Sequence, residues 1–81
     1  MTSAGVTIIN EGGELLLYRN GDGYPSGLGV ELLEHLDFDN FDLFKLISEC
    51  GLMSVKSFPG IVEYSYIINL NNRTFTIKSL D

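Results

Sequence analysis

The segment Gly21-Asp22-Gly23-Tyr24-Pro25-Ser26-Gly27-Leu28-Gly29 sets four glycines ahead of a helical pattern. Glycines in that position can aim backbone N–H groups at an anion, so phosphate binding is the first chemistry to weigh. The spacing fits neither a P-loop, which needs Gly-Lys-Ser/Thr, nor a dinucleotide fingerprint, and Asp22 would repel the phosphate. Asn20 and Asp22 suggest calcium instead. An EF-hand counted from Asn20 needs an oxygen ligand, a glycine and a glutamate where Tyr24, Pro25 and Glu31 stand, and only the glutamate is present. The segment is better explained as a turn. Its glycines take positive φ, Pro25 holds Tyr24 extended, and Ser26 or Asp22 caps the helix that follows. A loop over residues 20–29 that takes a small molecule or nucleotide is the alternative.

His35 and Cys50 are the only imidazole and the only thiol. Nucleophilic catalysis also needs an orienting group and oxyanion donors, and no pattern supplies them. No catalytic residue is assigned, and the chain is expected not to be an enzyme. The lone cysteine excludes an internal disulfide and a multi-cysteine metal site, so neither metal nor cofactor is expected. Glu31, Glu34, Asp37, Asp39 and Asp42 lack a specific acid–base spacing. Clustered acids can instead occupy a basic groove on a partner in place of nucleic-acid phosphates, with opposite potentials steering the encounter. The candidate partner contacts are Asp22, Tyr24, Glu31, Glu34, Asp37 and Asp39. The competing explanation is a solvated helix face with ordinary capping acids.

The elements that must hold these residues follow from periodicity. Gly5 to Asn10 is rich in β-branched residues, Glu11-Gly12-Gly13 turns, and Glu14 to Arg19 returns, which predicts a hairpin. Leu28, Leu32 and Leu36 recur every four residues and predict a helix of about ten residues. A second helix is expected over Phe41–Cys50, with Phe44, Ile47 and Leu43 inward. Asp39 or Asn40 would cap it, and Gly51 suits the position after its end. Residues 52–59 are expected to connect. Val62, Tyr64, Tyr66, Ile68 and Leu70 share one strand face, and Phe75 and Ile77 alternate with Thr74, Thr76 and Lys78 after Asn71-Asn72, predicting a second hairpin. Asn72-Arg73-Thr74 also matches a glycosylation sequon but suits the hairpin turn.

The order ββααββ predicts one α+β domain over residues 1–81. The expected form is a two-layer sandwich, a four-stranded antiparallel sheet with both helices on one face. Thr74, Thr76, Lys78, Glu63 and Ser65 make the other face wet. Ile61 and Ile67 are exceptions there and mark a candidate dimer or partner surface.

The net charge of −6 comes from eleven acids and five scattered bases. Direct nucleic-acid binding and attachment to anionic membrane both need a basic footprint, so neither is expected. No apolar run approaches the roughly 20 residues of a membrane span, and the first residues lack the pattern of a secretory signal. The expected location is the cytoplasm.

Leu17-Tyr18-Arg19, Asp22-Gly23-Tyr24-Pro25, Gly27, Gly29 and Leu32-Leu33 resemble a family of small uncharacterised proteins of phages, archaeal viruses and prokaryotic genomes. That family carries a tyrosine-basic stretch, then Asp-Gly-Tyr-Pro, then a Gly-x-Gly helix start. The stretches Val62 to Leu70 and Asn72 to Ile77 resemble its C-terminal part. Members often have an aromatic residue or histidine just before Asp-Gly-Tyr-Pro, where this chain has Asn20-Gly21. The resemblance transfers no activity. Its phage association implies a class by analogy, the small acidic inhibitor of a host defence protein, including anti-CRISPR proteins acting in the host cytoplasm.

Overall fold

Two alternating apolar runs joined by a glycine turn close the expected N-terminal hairpin in the computed structural model, which describes residues 2–80. Strands β1 (Ser3–Asn10) and β2 (Gly13–Asn20) pair antiparallel, with Val6 opposite Leu17 and Asn10 opposite Gly13. The second hairpin also forms, from β4 (Tyr64–Asn69) and β5 (Thr74–Ser79). Strand β3 (Met53–Val55) lies between the hairpins in sequence and pairs antiparallel with β2.

The sheet corrects the expected architecture. It has five strands in the order β3-β2-β1-β4-β5, and β1 runs parallel to β4, so it is mixed rather than four-stranded and antiparallel. The physical reason is the connection. The helices and β3 intervene between the hairpins, and the chain then crosses back to set β4 beside β1 in the same direction, as a parallel pair requires. The two-layer α+β class stands.

The crossing runs over the sheet face away from the helices. There the Phe58 ring lies so close over Gly5 that an added Cβ would fall 2.6 Å from it. Ser3 Oγ donates to the Ile61 carbonyl at 3.5 Å on the same side. This face is therefore only partly wet. Glu63, Thr74, Thr76 and Lys78 are exposed as expected, Ser65 and Ile67 are half-buried, and Ile61 is 87% exposed.

The other face carries the core. Ala4, Val6, Leu17, Tyr66 and Ile68 are fully buried beneath Leu28, Leu32, Leu46 and Cys50. Pro25–Gly29 forms one π-helical turn that runs into α1 (Val30–His35), which together fill the expected first helix. Neither Ser26 nor Asp22 caps it; the residues before both helical pieces make no side-chain cap bond. Helix α2 (Leu43–Cys50) starts later than expected. Its cap is Asp42, whose Oδ1 accepts from the Lys45 N–H at 3.1 Å, and Gly51 closes it in the left-handed region at φ 60°. The spacing i, i+3, i+4, i+7 puts Leu43, Leu46, Ile47 and Cys50 on one stripe, of which Leu46 and Cys50 are buried and Leu43 and Ile47 partly buried. Phe44 is 83% exposed, not inward. No helix among the described residues is long and apolar enough to cross a membrane.

Candidate functional site

The glycine-rich segment is held from beneath by the sheet. The Thr2 carbonyl accepts from the N–H groups of Gly21 and Gly23 at 3.1 and 3.0 Å. The buried Tyr66 hydroxyl donates to the Gly23 carbonyl at 2.6 Å. Leu28 N–H bonds back to the Asp22 carbonyl at 2.9 Å, and those of Gly27 and Gly29 to Tyr24. The N–H groups of all four glycines are thus bonded to backbone carbonyls rather than left for an anion. Burial, more than the nearby Tyr64, pushes the Tyr66 hydroxyl above its ordinary range, which keeps it a donor.

Arg19 fastens this segment to both helices. It lies at the end of β2, on the face that also carries Leu15 and Leu17, and its side chain is 17% exposed. Its Nε donates to the Gly21 carbonyl, and Nη1 to Glu31 Oε1 and the Cys50 carbonyl, each at 3.0 Å. The last acceptor belongs to the final turn of α2, where a cation also meets the negative end of the helix dipole. The hydrogen bond to Glu31 raises the Arg19 guanidinium above its ordinary value against the opposing effect of burial.

The proposed contact residues separate into groups. Glu31 is half-buried and committed to Arg19. Asp39 pairs with Arg73 at 2.6 Å, and Arg73 also lies over the Phe38 ring. Asp37 Oδ1 accepts from the N–H groups of Asp39 and Asn40, which holds the bend between the helices. Asp22 is exposed at φ 49°, and Tyr24, 48% exposed, lies against Tyr64 with ring centres 6.1 Å apart. Of the six, the structure brings Glu34 and Asp37 into one place.

That place is a polar groove of about 250 Å³ at the junction of α1 and α2. It is lined by Glu34, His35, Asp37, Asn40, Asp42 and Lys45, together with Leu36. Three carboxylates against one lysine make it acidic. Asp42 was assigned no contact role from the sequence, yet its spacing from Glu34 and Asp37 across the bend was the available signal. An apolar groove of about 370 Å³ lies on the other side of segment 40–45, lined by Ile8, Leu15, Phe41, Leu43 and Leu70 among others.

Cys50 lies outside the acidic groove that contains His35, and it is 1% exposed. Burial first, then the Glu31 carboxylate, pushes its thiol from 9.0 up to about 11. This has a sign for stability. Above its ordinary value the thiol ionises in the unfolded chain while the folded chain keeps its proton, so stability falls as pH rises from about 9 to about 11. Urea unfolding across that window should show a decline that Cys50→Ala flattens. An equal decline in the variant would assign it to the tyrosines instead.

Among the described residues no group of histidine, cysteine and carboxylate side chains is arranged to hold a metal ion. Compared with family models, curated proteins and solved structures, the chain matches none.

Proposed function

We propose that this chain is a protein-binding module that engages a basic surface on its partner through the acidic groove between α1 and α2. The observation that carries the reading is the convergence of Glu34, Asp37 and Asp42 on one groove with a single lysine. Asp37 and Asp42 are also tied to backbone N–H groups, which fixes their direction before a partner arrives. A preset acidic groove lowers the ordering cost of binding a lysine or arginine. Asp22 and Tyr24, both exposed, do not line this groove and are left to hold the turn. The sharpest form of the reading is a virus-encoded inhibitor that occupies the nucleic-acid groove of a host defence complex of CRISPR type. It rests on the resemblance and on the acidic charge. Against the glycine-rich ligand loop stands the use of all four glycine N–H groups in bonds to backbone carbonyls.

The test is capture of such a defence complex from bacterial extract on immobilised chain, with charge reversals inside and outside the groove. Glu34→Lys should lower retention about tenfold, on the order of 1.4 kcal/mol, and the loss should be largest at low salt. Glu49→Lys, an equal charge change on an exposed residue of α2 outside the groove, should retain the complex. Equal losses would reduce the interaction to net charge, and no retention by the unaltered chain would remove this partner.

A further inference from the structure

We infer that β5 is the pairing edge of a twofold homodimer, in which a second copy extends the sheet antiparallel through Phe75 and Ile77. The two edges of the sheet differ. One is β3, three residues long; the other is β5, with six. Short strands, prolines, bulges and clustered charges are the usual devices that keep an edge unpaired. Strand β5 has no proline, pairs with β4 in unbroken register, and carries one charge, Lys78.

Its backbone direction follows from one bond. Leu80 N–H donates to the Glu63 carbonyl at 2.9 Å, and the register places Tyr64 opposite Ser79. In an antiparallel pair, hydrogen-bonded positions alternate. Thr74, Thr76 and Lys78 therefore turn their N–H and C=O groups toward β4. Phe75 and Ile77 turn theirs outward. The side chains of these same two residues lie on the helix-covered side of the sheet, where Phe75 is half-buried and Ile77 is 41% exposed.

This edge fits a copy of itself. With Phe75 of one chain opposite Ile77 of the other, both pairs exchange two backbone bonds, and an aromatic residue meets a β-branched one twice. Thr76 meets its own copy at the twofold axis. Lys78 faces Thr74, so the two lysines are never opposed. Facing positions have the same parity, which puts the helices of both copies on one side of a continuous sheet. The charge distribution favours this edge for self-association. Strand β5 and its flanks, residues 70–80, contain no acid, and ten of the eleven acids stand at or before Glu63 in the sequence, Asp81 being the other. Two copies meeting at β5 bring together the part of the surface that repels least.

Sedimentation of the full chain from micromolar to millimolar concentration tests the edge, and a cysteine scan tests the register. The unaltered chain should sediment as a dimer, and Ile77→Lys as a monomer with an unchanged circular dichroism spectrum. Across the axis the non-hydrogen-bonded Thr76 pair has Cα atoms about 4.5 Å apart, within the roughly 4.4–6.8 Å that a disulfide spans. Thr76→Cys under oxidised glutathione should therefore convert almost fully to a covalent dimer, and Thr74→Cys only in trace. Cys50 is buried and does not compete. A monomer throughout the concentration range would overturn the inference and leave the edge to a strand of another protein. Equal crosslinking of Thr74→Cys and Thr76→Cys would overturn the register, even where Ile77→Lys fails to fold.

Discussion

Arg19→Ala is expected to lower the unfolding free energy by about 2–4 kcal/mol, measured by urea denaturation. The side chain makes three hydrogen bonds, to Gly21, Glu31 and Cys50, which lie on the loop, α1 and α2. Charge-assisted bonds contribute about 1.5–3 kcal/mol each where they are shielded from water. Glu31 has a side chain 37% exposed and rehydrates once its partner is gone, so the contributions do not simply add. Loss of the Cys50 contact leaves a carbonyl of the last α2 turn without its cation. A domain of this size holds on the order of 4–12 kcal/mol in total, so one side chain decides a large share of it. Arg19→Lys should recover only part of the loss. A single ammonium on a flexible stem cannot reach three acceptors in the plane of a guanidinium fork. Glu31→Gln, which keeps a hydrogen-bond acceptor and removes only the charge, should cost least. Full rescue by lysine would mean that charge alone matters at this position.

Gly23→Ala is expected to be equally severe, about 3 kcal/mol or more, with failure to accumulate folded protein as the extreme. The added Cβ would stand 2.8 Å from the Ala4 Cβ and 3.0 Å from the Ser3 carbonyl carbon and the Thr2 oxygen. Two of those atoms are backbone, and residue 23 is pinned from both sides by its bonds to Thr2 and Tyr66. Relief requires lifting the start of β1 off the loop. Gly5→Ala should cost less despite a closer clash, because the atoms in the way belong to the half-buried Phe58 ring, which can swing toward solvent. Gly12→Ala meets nothing within 4 Å and should be close to neutral. Thermal unfolding of the three variants would rank them, with each kcal/mol worth about 4–8 °C in a domain this small. A neutral Gly23→Ala would show that the loop is not seated on β1 as described.

The hairpins were legible because their information is local. Gly12-Gly13 and Asn71-Asn72 mark the turns, and Val62, Tyr64, Tyr66, Ile68 and Leu70 state the face by alternation. Which hairpin strands meet in the middle of the sheet is not local. Parallel pairing of β1 with β4 depends on a crossing whose anchors, Phe58 over Gly5 and Ser3 bonded to Ile61, join residues far apart in sequence. Met53-Ser54-Val55 is too short to register as a strand and becomes one only because β2 offers it an edge. Phe44 was misplaced because Leu43, Leu46, Ile47 and Cys50, spaced i, i+3, i+4 and i+7, form the stripe that faces the sheet, and Phe44 lies beside it. The role of Arg19 was within reach. Leu15, Leu17 and Arg19 alternate onto the core face, and a cation there demands acceptors. The acids were legible as a cluster but not as individuals. Glu31 and Asp39 are paired to arginines, and only tertiary contacts distinguish them from Glu34.

The central claim is that segment 18–29 is scaffold and that recognition belongs to the groove at the helix junction. Amide hydrogen exchange, read residue by residue in the free chain and in its complex with a captured partner, tests both halves at once. In the free chain the amides of Gly23 and Leu28, bonded to Thr2 and Asp22, should exchange as slowly as those of β1. Partner binding should then add protection across residues 34–45 and little elsewhere. Fast exchange at Gly23 and Leu28 in the free chain, with protection gained there on binding, would contradict the claim and return the function to the glycine-rich loop.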